Sequence, residues 1–502
     1  MANNPDNPPN QENNDAATET TPLLSPKPAQ ERYSVFTTSQ KRLIILTAAL
    51  ASSFSPFSAN IYYPSLNSIA KDLHVSSSQI NLTITTYMIC QGLAPAFMGS
   101  LADQAGRRPA YIICFVIYIC GNIALALQHS YPALLVLRAV QSCGSSGTVA
   151  LASAVAADVI TSAERGTYMG IASLGNILAP SLGPILGGVL SQYLGWQAVF
   201  WFLAIAAVAF FVPLLLFFPE TCRAIVGDGS IPSRGWNQSV LNCWQGRKRK
   251  HICDRNYANS HITQDETPRT KIQFPNPHAT LRLLFRLPTG LVLLANGIVF
   301  ASYYSVTAGI PSQFKEIYQL GDLGLGLSFI PAGMGSLVSA TFNGILVDWN
   351  YQRMSKKVRG EVSPNQKHDH HDFPIERTRL QIGLPMMMTA AISVGVYGIL
   401  MALKPPLPVA LGFVFVISFC ITAAYNVMSV LIVDLYYSTP ATAMAANNLV
   451  RCFLGAGATA IVHPMIQKWG VTVTYLIVAG VMMGVSPLLV LVYWRGMQWR
   501  IR

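Results

Sequence analysis

Charge is scarce in this 502-residue chain: 11% of its residues are Asp, Glu, Lys or Arg, against a hydrophobic fraction of 51%. A soluble protein carries about a quarter charged residues, so a water-facing fold is excluded as the main architecture. Paired cysteines are missing as well. The nine cysteines lie singly, mostly in apolar runs (Cys90, Cys114, Cys120, Cys143), without CxxC or metal-ligand spacing. They read as small apolar packing residues. The first forty residues are polar and rich in Asn, Pro and Thr, with no apolar core of signal-peptide length, and are expected to be disordered. No nucleophile–base pair or metal cluster falls within the apolar stretches, so an enzyme is not expected. Every Asp and Glu lies in a tail, a loop or the end of an apolar stretch.

What remains is apolar sequence cut into lengths of about 20 residues, enough to cross a bilayer as a helix. Twelve spans are predicted: 43–63, 81–101, 109–128, 133–157, 167–191, 196–218, 288–311, 323–347, 379–402, 407–433, 442–465 and 471–494. The expected architecture is an all-α membrane protein of twelve transmembrane helices in two pseudo-symmetric six-helix bundles, 43–218 and 287–495. A tail of residues 1–42, a central loop of 219–286 and a short tail of 496–502 complete the chain. The 37 glycines and 31 prolines are tolerated in such helices where neighbours satisfy the freed backbone groups.

A net charge of +12 raises nucleic-acid binding, but the cations sit in the connections and report topology instead. Lys27, Arg32, Lys41 and Arg42 precede the first span, Arg107 and Arg108 follow the second, and Arg165 follows the fourth. Arg353, Lys356, Lys357, Arg359, Lys367, Arg377 and Arg379 cluster after the eighth, whereas the other side has Lys71, Lys315, Lys404 and Lys468. The bias places both termini in the cytoplasm. The central loop, with Arg247, Lys248, Arg249 and Lys250, is expected to be a solvated linker beside an anionic leaflet. The Asn237 sequon is then cytoplasmic and unused, and Asn81 lies at the membrane edge.

The two halves echo one another. Gly99, Leu101, Asp103 and Arg107 recur as Gly344, Leu346, Asp348 and Arg353; Asp158 closes the fourth span and Asp434 the tenth; Tyr62 and Tyr63 recur as Tyr303 and Tyr304. Their shared order points to duplication.

Within this frame some residues carry chemistry. Gly99 permits close helix approach, Gly106 suits a tight turn, and Asp103 is suited to a helix N-terminus. Arg107 is expected to pair with Asp158, giving a cytoplasmic gate of Gly99, Asp103, Gly106, Arg107 and Asp158 whose contacts form only when that side closes. Arg138 lies one and a half turns into the fourth span, where an unpaired arginine costs roughly 2.5–3.5 kcal/mol, so it should face a cavity or partner. Snorkelling to the outer interface is the bland alternative. Gly183, Pro184, Gly187 and Gly188 on the fifth span bend the helix and admit a close neighbour. Arg451 stands near the middle of the eleventh span, too deep to snorkel, while His463 reads as a structural histidine near the outer edge. Proton carriers in a bilayer need an adjustable pKa, which leaves Asp103, Asp158, Asp434 and His463. Arg138 and Arg451 lack an obvious anionic partner, and an anionic substrate is one candidate.

At residues 99–108, 138–141 and 183–188 the sequence resembles the major facilitator superfamily, and the likeness covers nearly all of residues 43–495. These motifs match its twelve-helix drug:proton antiporter branch. Residues 60–64, 141–147 and 219–230 look like fungal members, a group with quinidine- and multidrug-resistance, dityrosine and citrate exporters. One departure is Ser142, where many relatives have glycine.

The resemblance implies alternating access between two bundles, with proton entry driving export, Arg138 in coupling or binding, and Asp103 and Arg107 gating the inner side. Arg138, Gln141, Arg451, Tyr62 and Asn426 are the expected cavity residues. Two substrate classes remain open: amphiphilic drugs or secondary metabolites, and organic anions such as citrate-like carboxylates. Proton-coupled nutrient uptake and a non-transporting membrane sensor are the rival functions. The expected partners are a small-molecule substrate, protons and the lipid bilayer, without nucleic acid, metal or cofactor, and the chain is expected to act as a monomer. The plasma membrane is the expected site. An acidic dileucine pattern at Glu19, Leu23 and Leu24 keeps the vacuole or endosome as the alternative.

Overall fold

The computed structural model describes residues 34–160, 165–227, 237–239, 283–359, 373–436 and 440–501. The dileucine pattern and the basic run at 247–250 lie outside the described residues. Among the described residues there is no strand.

Eleven helical segments of 21 residues or more carry the fold of the described residues. They are α1 (Thr38–Asn60), α2 (Ser77–Ala105), α3 (Arg107–Leu127), α4 (Tyr131–Val159), α5 (Arg165–Leu194) and α6 (Gln197–Phe217). In the second half come α7 (Leu287–Tyr318), α8 (Ile330–Arg359), α9 (Ile375–Ala402) and α10 (Leu407–Leu435). The last segment, Pro440–Ile501, is 62 residues long and is broken at Gly470, whose φ of 81° lies in the left-handed region. Glycine meets no side-chain penalty there, and the break yields α11 (440–469) and α12 (471–501), giving twelve long helices among the described residues. The helix starts are written locally. Thr37 with Gln40 and Ser76 with Gln79 form capping boxes on α1 and α2, each satisfying backbone N–H groups left over at a first turn.

Among the described residues nine stretches qualify as membrane-crossing by length and hydropathy; the ninth, Thr442–Arg500, spans the break at Gly470, and α2 and α5 are not among the nine. Large apolar side chains point outward along the helices, among them Ile205, Phe217, Ile345, Ile392 and Trp494. On a soluble protein a surface of this kind would be an aggregation liability; here it faces lipid.

Two apolar cores follow the two halves, but not symmetrically. One joins Ile44, Phe115, Tyr118, Leu151, Val155 and Leu203 within the first half. The larger fills the second half and runs on into Tyr62, Tyr63, Leu66, Ile80, Ile84 and Phe200 of the first. All of these first-half residues lie toward the end opposite the arginine-rich connections. The halves are thus fused at that opposite end.

Polar contacts agree. Asn67 donates to the Pro311 carbonyl, Ser68 to Asp322, Ser78 meets His463 and Gln467, and Thr85 meets Ala456 and Thr459. The contact furthest toward the basic end joins Asn448 to the Gln91 carbonyl, near the middle of α2. A Cβ at Gly99 or Gly344 would have nothing within 4 Å. The bundle is closed at the opposite end and parted at the basic end.

Two expectations need correction. The span predicted as 323–347 is divided: Asp322–Leu327 is a separate short helix, and α8 starts at Ile330 and runs on to Arg359. Tyr303 and Tyr304 are not placed like Tyr62 and Tyr63: the latter follow the end of α1, whereas α7 continues fourteen residues beyond Tyr304, to Tyr318.

Candidate functional site

Arg138 on α4 is 1% exposed. Its guanidinium lies 4.1 Å from the ring centre of Tyr62 and 4.4 Å from that of Tyr87, an arrangement worth about 2 kcal/mol when desolvated. It donates to Gln141 Oε1 at 2.6 Å, and Gln141 in turn donates to Asn122 Oδ1 at 2.6 Å. Tyr62 shares a hydrogen bond with Thr83 at 2.9 Å, and Tyr87 donates to the Ser55 carbonyl at 2.9 Å. The arginine therefore neither snorkels nor meets a carboxylate; two aromatic faces and an amide hold it, while its Nε has no partner. Tyr87 and Asn122 carried no sequence signal, since isolated polar residues in apolar helices are common.

Arg451 is held differently. Its Nε donates to Asn448 Oδ1 at 2.9 Å, its Nη1 to Tyr425 Oη at 3.2 Å, and its guanidinium stands 4.8 Å from the Phe300 ring centre. It is half-buried, not sealed. Asn448 is also the residue that reaches across to Gln91, so Arg451 stands at the boundary between halves. Around it the helices come close: a Cβ at Gly92 would lie 3.0 Å from Cys452 Cβ, and one at Gly455 would overlap Met88. Asn296 and Asn447 are joined at 2.8 Å one turn nearer the basic end. Asn426 is half-buried beside Tyr425 and takes no part in these bonds. Among the described residues no ion pair involves Arg138 or Arg451.

At the basic end, α2 and α3 are separated by Gly106 alone, at φ 110°. A Cβ there would collide with the Glu220 carboxylate. Glu220, just past α6, accepts from the backbone N–H groups of Arg107 (2.8 Å) and Arg108 (3.2 Å), as well as Thr221 and Cys222 (2.9 Å each). A carboxylate at a helix N-terminus satisfies leftover donors and complements the dipole. The same turn lets Arg107 donate to Asp103 at 2.5 Å and Asp158 at 2.8 Å. All three residues belong to one half. Their bonds are formed with this end parted, so the expected gate pair does not depend on closure. Glu220 was visible in the sequence without an assigned role.

The second half repeats this pairing with a different arginine. Arg379 at the start of α9 donates to Asp434 at the end of α10, at 3.0 Å. The echo that set Arg353 beside Arg107 is corrected accordingly. A one-residue turn places Arg107 on α3, whereas α8 runs on to Arg359 and keeps Arg353 on its own surface.

The opposite end is sealed by α5. A Cβ at Gly183 would come within 3.1 Å of Asn60 and Ile61, and one at Gly187 would strike the Ile61 carbonyl. At Gly188 it would lie 2.6 Å from the Asp322 carbonyl and 3.2 Å from Gly326. Pro184 faces Gly326 in the same contact. Asp322 opens a short helix, Asp322–Leu327, and is 8% exposed. Its carboxylate accepts from Ser68 at 2.5 Å and from Ser191, so one acidic side chain of the second half ties down two first-half elements. Tyr63 stacks on Phe329 beside it, ring centres 5.6 Å apart. Asp322 escaped the sequence reading because it borders an apolar stretch and looks like a loop residue.

Comparison with known proteins identifies the family. The MFS-type transporter phiD of Fungal sp. (strain ATCC 74256) is 45% identical over 93% of this chain and 70% of its own. Citrate exporter 1 of Aspergillus niger is 34% identical over 95% of this chain and 91% of its own. A partially occluded inward-open structure of the xylose transporter XylE from E. coli superposes with a TM-score of 0.60, covering 91% of this chain and 98% of that one at 14% identity, a likeness of fold alone. The sequence pattern of the Major Facilitator Superfamily matches residues 48–460. The chain belongs to the major facilitator superfamily and is a multi-pass membrane transporter, not an enzyme.

Proposed function

We propose that this transporter exports a small organic molecule bearing an anionic group, by alternating access, with Arg451 as the counter-charge. The observation that supports this reading is the setting of Arg451. It is half-buried at the boundary between the halves, held by an amide and a phenol, without a carboxylate partner and on the parted side of the seal. A buried cation without a counter-ion is costly, and a bound anion relieves that cost. Arg138, already satisfied by two tyrosines and Gln141, is the positioning partner. The name of the citrate exporter relative is consistent with an anionic substrate. A second reading, an amphiphilic metabolite without charge, is favoured by the aromatic faces of Phe300, Tyr304 and Tyr425 that meet beside Arg451.

Proton entry drives the cycle in this proposal, with Asp322 and His463 as the titratable groups on the boundary at the sealed end. Both termini face the cytoplasm and the plasma membrane is the working site, with the parted end as the cytoplasmic mouth. The chain works as a monomer.

The test is flux in inside-out vesicles under an imposed proton gradient, comparing a tricarboxylate with a lipophilic cation. Gradient-driven accumulation of the carboxylate, lowered at least tenfold by Arg451→Ala, supports the proposal. Undiminished carboxylate flux in that variant removes Arg451 from the role, and flux in the uptake direction alone favours nutrient import.

A further inference from the structure

One described cavity lies away from the boundary between the halves. It is a cleft of about 380 Å³ between the basic ends of α8 and α9, lined by Leu346, Trp349, Asn350, Arg353, Met354, Lys357, Gln381, Ile382, Pro385 and Met386. Its origin is topological. In the first half the one-residue turn at Gly106 holds α2 and α3 together, and Glu220 straps over them. In the second half no one-residue turn joins the two helices: α8 runs on to Arg359 and packs chiefly on α10, its contact with α9 about as slight as that of α2 with α3. The gap is floored by an apolar cluster of Val347, Ile382 and Val427.

We infer that this cleft binds an anionic phospholipid, its phosphate against Arg353 and Lys357 and its upper acyl chains along Leu346, Ile382, Pro385 and Met386. Chemistry changes along the cleft as it does along a lipid. From Leu346 to Lys357 the helix rises by about 16 Å, from apolar walls to two cations. Arg353 rests 5.4 Å from the Trp349 ring centre, and neither it nor Lys357 forms an ion pair with a described residue. By contrast, Arg107 and Arg379 are both paired with carboxylates. Trp349 is 55% exposed, continuing a strip of exposed Phe342 and Ile345. Amphipathic aromatics occupy the headgroup level of membranes, and clustered cations beside a membrane attract anionic headgroups. Asn350 is already committed to the Thr378 carbonyl at 2.7 Å and to Gln381 at 3.2 Å, which leaves the headgroup to the cations. A free phosphate would make no use of the apolar lower half.

The test is native mass spectrometry of the full chain in mild detergent with dioleoyl phosphatidic acid and dioleoyl phosphatidylcholine added separately. Wild type is expected to retain the acidic lipid about tenfold better. Arg353→Gln with Lys357→Gln abolishes that preference, Lys41→Gln with Arg42→Gln leaves it intact, and Met386→Trp lowers retention by filling the apolar part. The inference is overturned if the first pair keeps the preference, or if the second loses it equally, which marks diffuse attraction. It is also overturned if glycerol phosphate competes as well as the lipid, which marks an anion site without chains. Should the first pair not purify, photo-crosslinking of wild type with a benzophenone-tagged phosphatidic acid decides: adducts at 346–357 or 381–386 support the site, and adducts only elsewhere reject it.

Discussion

Arg379 donates to Asp434 at 3.0 Å where α9 begins and α10 ends, repeating the bond of Arg107 to Asp158 at 2.8 Å in the first half. Each pair pins two helices of its own bundle at the basic end. Both pairs are only partly screened by solvent, so removing one partner should cost more than a surface ion pair. A double-mutant cycle on Arg379→Gln and Asp434→Asn, read as thermal stability in detergent, should give a coupling of about 1–2 kcal/mol. Additive single effects would show that the pair holds nothing.

Gly99 and Gly344 stand in open space in this conformation. Gly99→Leu and Gly344→Leu should therefore fold with melting temperatures within about 2 °C of wild type, a surface-like effect. If the parted ends must meet during the cycle, each variant should lose transport at least tenfold. Normal transport in both would show that closure brings no helix against these positions.

Asp322 joins both halves at the sealed end through Ser68 and Ser191. Asp322→Ala should unlatch it, raising maleimide labelling of a cysteine placed at Asn67 several-fold, whereas Asp322→Asn, which keeps an acceptor, should raise it less. Equal, wild-type labelling in both variants would mean that the α5 glycine contacts suffice for the seal.

Twelve spans, the glycine–proline seal and the Arg107–Asp158 pair were legible in the sequence, because each rests on local hydropathy or on a motif. Long-range partners were not. Nothing local marks Tyr87 as the second face over Arg138, or Asp322 as a bridge, since each depends on helices far apart in the chain. The echo between halves misled at Arg353 for a related reason. The motif repeated, but α8 runs on past Arg353, so the counterpart of Arg107 is Arg379, which starts α9 as Arg107 starts α3.

Arg138 is held by ring faces and not by a carboxylate. Lysine cannot stack its compact ammonium as a planar guanidinium does, so Arg138→Lys should reduce transport at least tenfold. Tyr62→Phe keeps the ring and loses only the bond to Thr83, and should stay within about threefold of wild type, a loss of less than about 1 kcal/mol. Flux measurements on the two variants check the contrast. The reverse order would place the function in the Tyr62 hydroxyl.

Alternation of the two ends is tested most directly by pairs of spin labels on one protein in two settings. Lys41→Cys with Lys356→Cys reports the basic end, and Lys71→Cys with Lys315→Cys reports the opposite end, each in a background cleared of other accessible cysteines. Adding transported substrate under an inward proton gradient should shorten the first distance and lengthen the second. Two distances that stay fixed, or that move in the same direction, would contradict a carrier that opens to one face at a time.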